Sequence, residues 1–197
     1  MPELLKLCLA ICPLVFLAGF VDSIAGGGGL ISLPAYLVMG LPPHLAAGTN
    51  KVVSGLGALT ASGKYIKSGR IWLDLAIFSA LGALAGSFIG TRIALMLSGS
   101  ALKLVILCAL PVVAVIMMIR RNTDRPEGSL HSRGKAVDRL LCTLIGLVIG
   151  CYDGLVGPGT GTFMILAFSM VLGMDLLYAS GCAKVGNLAS NIASAVV

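Results

Sequence analysis

Apolar residues gather into long runs along this chain instead of alternating with polar ones. Residues 4–21, 71–97 and 101–119 are each close to the twenty or so residues that cross a hydrocarbon core of about 30 Å. Two shorter runs, 30–40 and 162–173, each follow a glycine cluster. At about 1.5 Å per residue such a run covers about 16–18 Å, half a bilayer. They predict half-helices or re-entrant segments. The elements predicted are helices throughout, so the fold class is all-α: a polytopic transmembrane bundle with interrupted helices.

Composition points the same way. Hydrophobic residues make up 57% of the chain and charged ones 11%, against about 25% charged in soluble domains, whose surface must be hydrated. The charges gather in loops. One basic loop spans 64–70, with Lys64, Lys67 and Arg70, and a richer one spans 120–139. The segments 71–97 and 101–119 lie between them, so two crossings return the chain to its starting side. Both loops can then face the cytoplasm, as the positive-inside rule requires. This placement accounts for the net charge of +6 without a nucleic-acid partner. The partners expected are the lipid bilayer and a small solute, with a homo-oligomer left open.

Several signals are read as ordinary structure. The six cysteines form no CxxC pair and no histidine stands at metal-ligand spacing, so neither a metal site nor a cofactor is expected. The N-terminus imitates a signal peptide, with Lys6, an apolar run and Ser23-Ile24-Ala25. Asp22 and the recurrence of the same pattern further on argue that it is mature structure. Gly82, Gly86 and Gly90 recur every fourth residue on a regular helix and predict close helix packing.

The recurrence is extensive. Gly19-Phe-Val-Asp22, the cluster Gly26, Gly27, Gly28 and Gly29, an apolar run, and Ala46-Ala-Gly48-Thr-Asn50-Lys51-Val52 make the first copy. Gly150-Cys-Tyr-Asp153, the cluster Gly157, Gly159 and Gly161 around Pro158, an apolar run, and Ala179-Ser-Gly181-Cys-Ala-Lys184-Val185 make the second. The organisation expected is a first transmembrane repeat over 1–119, a basic cytoplasmic loop over 120–139, and a second repeat over 140–197 that is incomplete. Val197 aligns with Lys64, and the expectation is a C-terminally truncated reading frame. Whether the copies are parallel or inverted stays open, with inverted favoured.

Paired interruptions in two halves point to a midplane binding site, because non-helical backbone survives in a membrane only where it is buried or lines a cavity. Charge inside a membrane needs a reason. The repeat-related ionisable groups are Asp22 with Asp153 and Lys51 with Lys184. Lys51 follows Asn50, and Lys184 shares a helical face with Asn187, Ser190 and Asn191. Lysine, convergent amides and half-helix N-termini favour an anion. The alternative is a Lys–Asp pair that joins the halves. The substrate-binding candidates are therefore Gly26, Gly27, Gly28, Gly29, Asn50, Lys51, Gly157, Gly159, Gly161, Lys184, Asn187 and Asn191. Asp22 and Asp153 are the candidates for proton coupling, and His44, in a Pro-Pro-His turn, is a weaker one. Nothing assembles a nucleophile–base constellation, a P-loop or an HExxH motif, so no enzyme activity is expected.

With these residues in view, the chain resembles the TauE/SafE sulfite-exporter family, also called TSUP. The stretches GFVDSIAGGGGLISLPAYLVMGLPPHLAAGTNKV, GCYDGLVGPGTGTFMILAF and ASGCAKVGNLASNI carry the resemblance. They look most like the YfcA-like subgroup. The resemblance implies a bacterial inner-membrane permease of about eight helices for small anions, sulfur-containing compounds among them. The alternatives are a channel, a non-transporting membrane subunit, or an inactive fragment of a transporter.

Overall fold

In the computed structural model, residues 2–25, 27–119 and 126–197 are described; Met1, Gly26 and the loop residues 120–125 lie outside them. The described residues form eight helices and no strand. They are α1 (Pro2–Ala25), α2 (Gly29–Val38), α3 (Pro43–Lys67), α4 (Leu73–Met96), α5 (Gly99–Ile119), α6 (Lys135–Leu155), α7 (Thr160–Leu172) and α8 (Leu176–Val196). By length and hydropathy α4 as a whole and residues Gly99–Ile116 of α5 are long and apolar enough to cross a membrane.

Helix stops at both glycine clusters. α1 ends at Ala25 and α2 starts at Gly29, while α6 ends at Leu155 and α7 starts at Thr160. The second stop has a local cause. Gly157 and Gly159 have φ of +95° and +80°, a left-handed conformation that side chains resist. A Cβ on Gly159 would also lie 2.2 Å from Val113 of α5.

The basic turns share one end of the bundle. Arg139 near the start of α6 donates two hydrogen bonds of 2.9 Å to Asp74 near the start of α4. The His131 amide donates to the Leu172 carbonyl at the end of α7 (2.9 Å), and Arg70 lies 3.3 Å from Glu127. Asp175 caps α8 by accepting from the amides of Leu177 and Tyr178, and its other oxygen accepts from the Gly128 amide at 2.9 Å. The expectation that loops 64–70 and 120–139 share a side matches this geometry over the described residues.

The far end is apolar. Leu33, Tyr36, Ala94, Leu102 and Ile106 form a core there, with Ile11 and Val15 of α1 against it. α1 therefore starts at the far end, and α2 returns to it. α6 starts at the basic end, and α7 returns to that end. The two helical hairpins enter from opposite ends, and their tips meet: a Cβ on Gly29 would lie 3.2 Å from the Pro158 Cα. A second core, around Leu75, Cys142, Ile165, Phe168 and Leu172, fills the basic half.

α4 crosses between the halves defined by the basic loop and seats on α6. Cβ atoms on Gly82, Gly86 and Gly90 would lie 2.0–2.1 Å from the carbonyl oxygens of Thr143, Leu147 and Cys151. Glycines on α6 reciprocate: Cβ atoms on Gly146 and Gly154 would lie 2.2 Å and 2.3 Å from the carbonyl oxygens of Ser79 and Ser87. Only backbone fits at this distance, which is the close approach that small residues give membrane helices. The stripe on α4 was legible in sequence; its partner on α6 is a finding of the structure.

Candidate functional site

Between the two apolar cores lies a polar layer at the hairpin tips. Lys51, on α3, is buried and places its ammonium 2.7 Å from the Asp153 carboxylate near the end of α6. It also donates to the Asp153 backbone carbonyl. Lys184, on α8, lies 3.1 Å from the Asp22 carboxylate and donates to the Asp22 carbonyl at 2.7 Å. Asp22 and Lys51 precede the basic loop and Asp153 and Lys184 follow it, so each lysine binds an aspartate across that division. Asp22 and Asp153 sit in the last turns of α1 and α6, where carbonyls lack helical donors and the helix dipole is negative. A lysine there answers the carboxylate and the helix end together.

Further hydrogen bonds hold the carboxylates. Asp153 accepts from the Thr160 hydroxyl at 2.7 Å and from the Ser190 hydroxyl. Asp22 accepts from the Gly28 amide at 3.2 Å. Removing a partner from such a buried ion pair leaves an uncompensated charge, so the pairs bind the tips firmly once formed.

The N-termini of α2 and α7 face a cavity of about 10 Å³ between the tips, enough for about one water molecule. Asp22, Gly29, Asn50, Ser54, Asp153, Gly157, Gly159, Thr160, Gly161, Asn187 and Asn191 all border it. The asparagines are oriented by their carbonyl ends. The Ser32 hydroxyl donates to Asn50 Oδ1 at 2.6 Å, and Asn191 Nδ2 donates to Asn187 Oδ1 at 3.1 Å. Asn50 Nδ2 lies beside Gly29. Asn50 and Asn187 are both buried where they border the small cavity.

A second, larger cavity of about 500 Å³ shares Asp22, Asn50 and Ser54 with the first and opens towards the basic end. It runs along α1 and α3 past Gly57, Thr60 and Ala61 to Lys64, Tyr65 and Arg70.

Most of the candidates read from sequence meet here. Gly28 borders the larger cavity, Gly27 is buried at the α1–α2 tip, and Gly26 lies outside the described residues. Lys51 and Lys184 border neither cavity, because both ammoniums are taken up by the aspartates. His44 borders neither and sits in the first turn of α3. Sequence reasoning passed over Ser32 and Thr160, which lie inside the two glycine-rich motifs and carried no charge to draw notice.

The sequence profile described as sulfite exporter TauE/SafE matches residues 11–197. The chain belongs to that family. Similar curated proteins include a Sinorhizobium protein named "probable membrane transporter protein ORF9", 34% identical over 90% of this chain and 66% of its own length. A Haemophilus influenzae protein named "probable membrane transporter protein" is 36% identical over 91% of this chain and 69% of its own length. The Escherichia coli "probable membrane transporter protein YfcA" is 30% identical over 89% of this chain and 64% of its own length. The TauE/SafE chain spans about two thirds of the length of the curated relatives it matches. No solved structure matches it. Family membership makes it a membrane protein of a transporter family.

Proposed function

We propose that this TauE/SafE chain forms the binding site of a secondary transporter for small anions, sulfur-containing compounds among them. The observation that carries the reading is the cavity where the N-termini of α2 and α7 meet, bordered by Asn50, Asn187 and Asn191. Helix N-termini and amides present partial positive charge and N–H groups, the features an oxyanion needs.

In this reading the chain is a duplicated unit whose second copy is inverted. α1–α2–α3 corresponds to α6–α7–α8, each hairpin is an interrupted membrane element, and the site sits at the interface of the copies. Loops 64–70 and 120–139 face the cytoplasm of a bacterial inner membrane, and the larger cavity is the approach from that side. The small cavity holds no anion until the tips part. Parting them means loosening the Lys51–Asp153 or Lys184–Asp22 pair, and protonation of Asp22 or Asp153 is the means by which a proton gradient drives it.

Proteoliposomes reconstituted with the chain and given radiolabelled sulfite, with and without a pH gradient, test this. Saturable flux that the gradient accelerates is the expected result. Flux indifferent to the gradient assigns a channel, and absence of flux removes the transport reading.

A further inference from the structure

α4 is seated where α6 and α8 come together. A Cβ on Gly150 of α6 would lie 2.7 Å from the Ala83 carbonyl oxygen of α4. A Cβ on Gly181 of α8 would lie 2.6 Å from the Arg70 carbonyl oxygen, in the turn that leads into α4. On the duplicated-unit reading above, on which this inference rests, the counterparts of these glycines are Gly19 of α1 and Gly48 of α3. Gly150 and Gly181 are buried. Gly19 and Gly48 are exposed, and among the described residues a Cβ on either would meet nothing within 4 Å.

The cavity of about 500 Å³ continues the correspondence. Val53, Gly57 and Ala61 border it from α3. Counting on from Lys51 and Lys184, they align with Gly186, Ser190 and Ser194 of α8, and each of those meets α4. The Ser87 hydroxyl donates to the Ser190 carbonyl and shares a hydrogen bond with the Ser194 hydroxyl, both at 2.7 Å. A Cβ on Gly186 would stand 3.0 Å from the Ser79 hydroxyl. What α4 fills beside α6 and α8 is open beside α1 and α3. The open groove is also polar, bordered by Asp22, Ser32, Asn50, Ser54 and Thr60. Polar groups facing hydrocarbon are costly, so in a bilayer this lining needs a cover.

We infer that the groove between α1 and α3 is the seat of a further membrane-spanning helix of the α4 kind, with a small residue at every fourth position, supplied by sequence outside residues 1–197. With the copies inverted, that helix enters beside Gly48 at the far end and leaves at the basic end. Seated there, it walls the cavity on its lipid side and leaves the approach to the tips open from the basic end. A second copy of this chain has no such helix to offer. Its α4 packs the glycine stripe on its own α6, and its α5 presents the bulky Leu104, Leu107, Val112 and Val115. About a third of the length of the Sinorhizobium and Haemophilus influenzae relatives lies outside the match, which is room for a helix of this kind.

A synthetic peptide of the α4 sequence, Leu73–Met96, is the probe. Energy transfer in lipid nanodiscs, from a fluorophore on the peptide to an acceptor on the chain, reads its binding. Saturable transfer is expected, and a peptide with leucine at Gly82, Gly86 and Gly90 should give none, since close approach needs small residues. Gly19→Leu and Gly57→Leu should each weaken binding at least about tenfold, the effect of losing one close contact. Both positions border open space, so both variants should fold, as the thermal midpoint checks. Leu59→Phe, on the opposite face of α3, should leave binding unchanged. Binding that survives both glycine substitutions, or no saturable binding, overturns the seat. Transfer between labelled copies of the chain that the same substitutions abolish assigns the groove to self-association and overturns the outside source. Sulfite flux without peptide binding sinks the seat and spares the transport reading, whereas peptide binding without flux does the reverse.

Discussion

Lys51 on α3 and Asp153 on α6 form a buried ion pair of 2.7 Å in which the lysine also holds the aspartate's own carbonyl. Lys184 and Asp22 repeat the arrangement with the halves exchanged. Neither aspartate is served by the lysine that follows it in its own half. The pairs therefore act between the halves, and each fixes a hairpin tip from across the interface. The Lys51 and Asp153 side chains are 6% and 3% exposed, so solvent does little to compensate a lost partner. Lys51→Met should cost about 3–5 kcal/mol of stability, the cost of leaving a buried charge unpaired. Adding Asp153→Asn should recover more than half of that loss. Denaturation in detergent micelles measures both, and a loss under about 1 kcal/mol in the single variant would dismiss the pair as a fixing contact.

The α4–α6 interface predicts a sharp contrast among glycines. A Cβ on Gly86 would stand 2.0 Å from the Leu147 carbonyl oxygen, whereas one on Gly63 of α3 would meet nothing within 4 Å. Gly86→Ala should separate the helices and sharply reduce recovery of monodisperse protein on size-exclusion chromatography. Gly63→Ala should be neutral or stabilising by up to about 1 kcal/mol, since alanine is the better helix former. Similar behaviour of the two variants would contradict backbone-to-backbone packing.

Much of this architecture is legible without coordinates because membranes impose coarse, length-coded constraints. The apolar runs gave α4 and α5, and the glycine clusters gave the breaks at Ala25/Gly29 and Leu155/Thr160. Charge within otherwise apolar stretches singled out Asp22, Lys51, Asp153 and Lys184. Pairing was not legible in the same way. Linear order sets each lysine beside the aspartate of its own half, and only the crossing of α3 and α8 exchanges them. A Lys–Asp pair joining the halves stood as the alternative to anion ligation by the lysines, and both lysines are found against a carboxylate. The α6 stripe of Gly146, Gly150 and Gly154 was overlooked for a different reason: Gly150 and Gly154 stand beside motif residues that drew the attention.

One end of the bundle gathers Lys64, Arg70, Glu127, Arg139 and Asp74. If the basic loops are cytoplasmic, cysteines introduced at Ser68 and Ser132 should both react with a membrane-impermeant maleimide only from that side. Both positions are exposed. Labelling of intact cells against inverted vesicles reads the outcome. Reaction of the two cysteines from opposite sides would break the shared-end topology, and reaction of both from the outside would reverse the orientation.

The last prediction concerns the asparagines. Asn187 borders the small cavity, and its Oδ1 and backbone carbonyl accept from Asn191. Replacing it by leucine removes a donor and sets an apolar side chain against Gly161 and the α7 N-terminus. Its burial at 5% exposure means that the substitution keeps an apolar group in place without exposing new surface. Ligand recognition should therefore suffer more than folding. A site that hydrogen-bonds its ligand loses about 1–3 kcal/mol when one buried polar partner is left unpaired, equivalent to about a 5- to 150-fold fall in anion flux. Ser54→Ala, which touches the same cavity from α3 with a smaller group, should have a weaker effect in the same direction. Flux and thermal midpoint measured on the same preparations separate the two roles. Loss of flux with an unchanged midpoint assigns Asn187 to the ligand, whereas a parallel fall in both makes it a structural residue of the α3–α8 crossing.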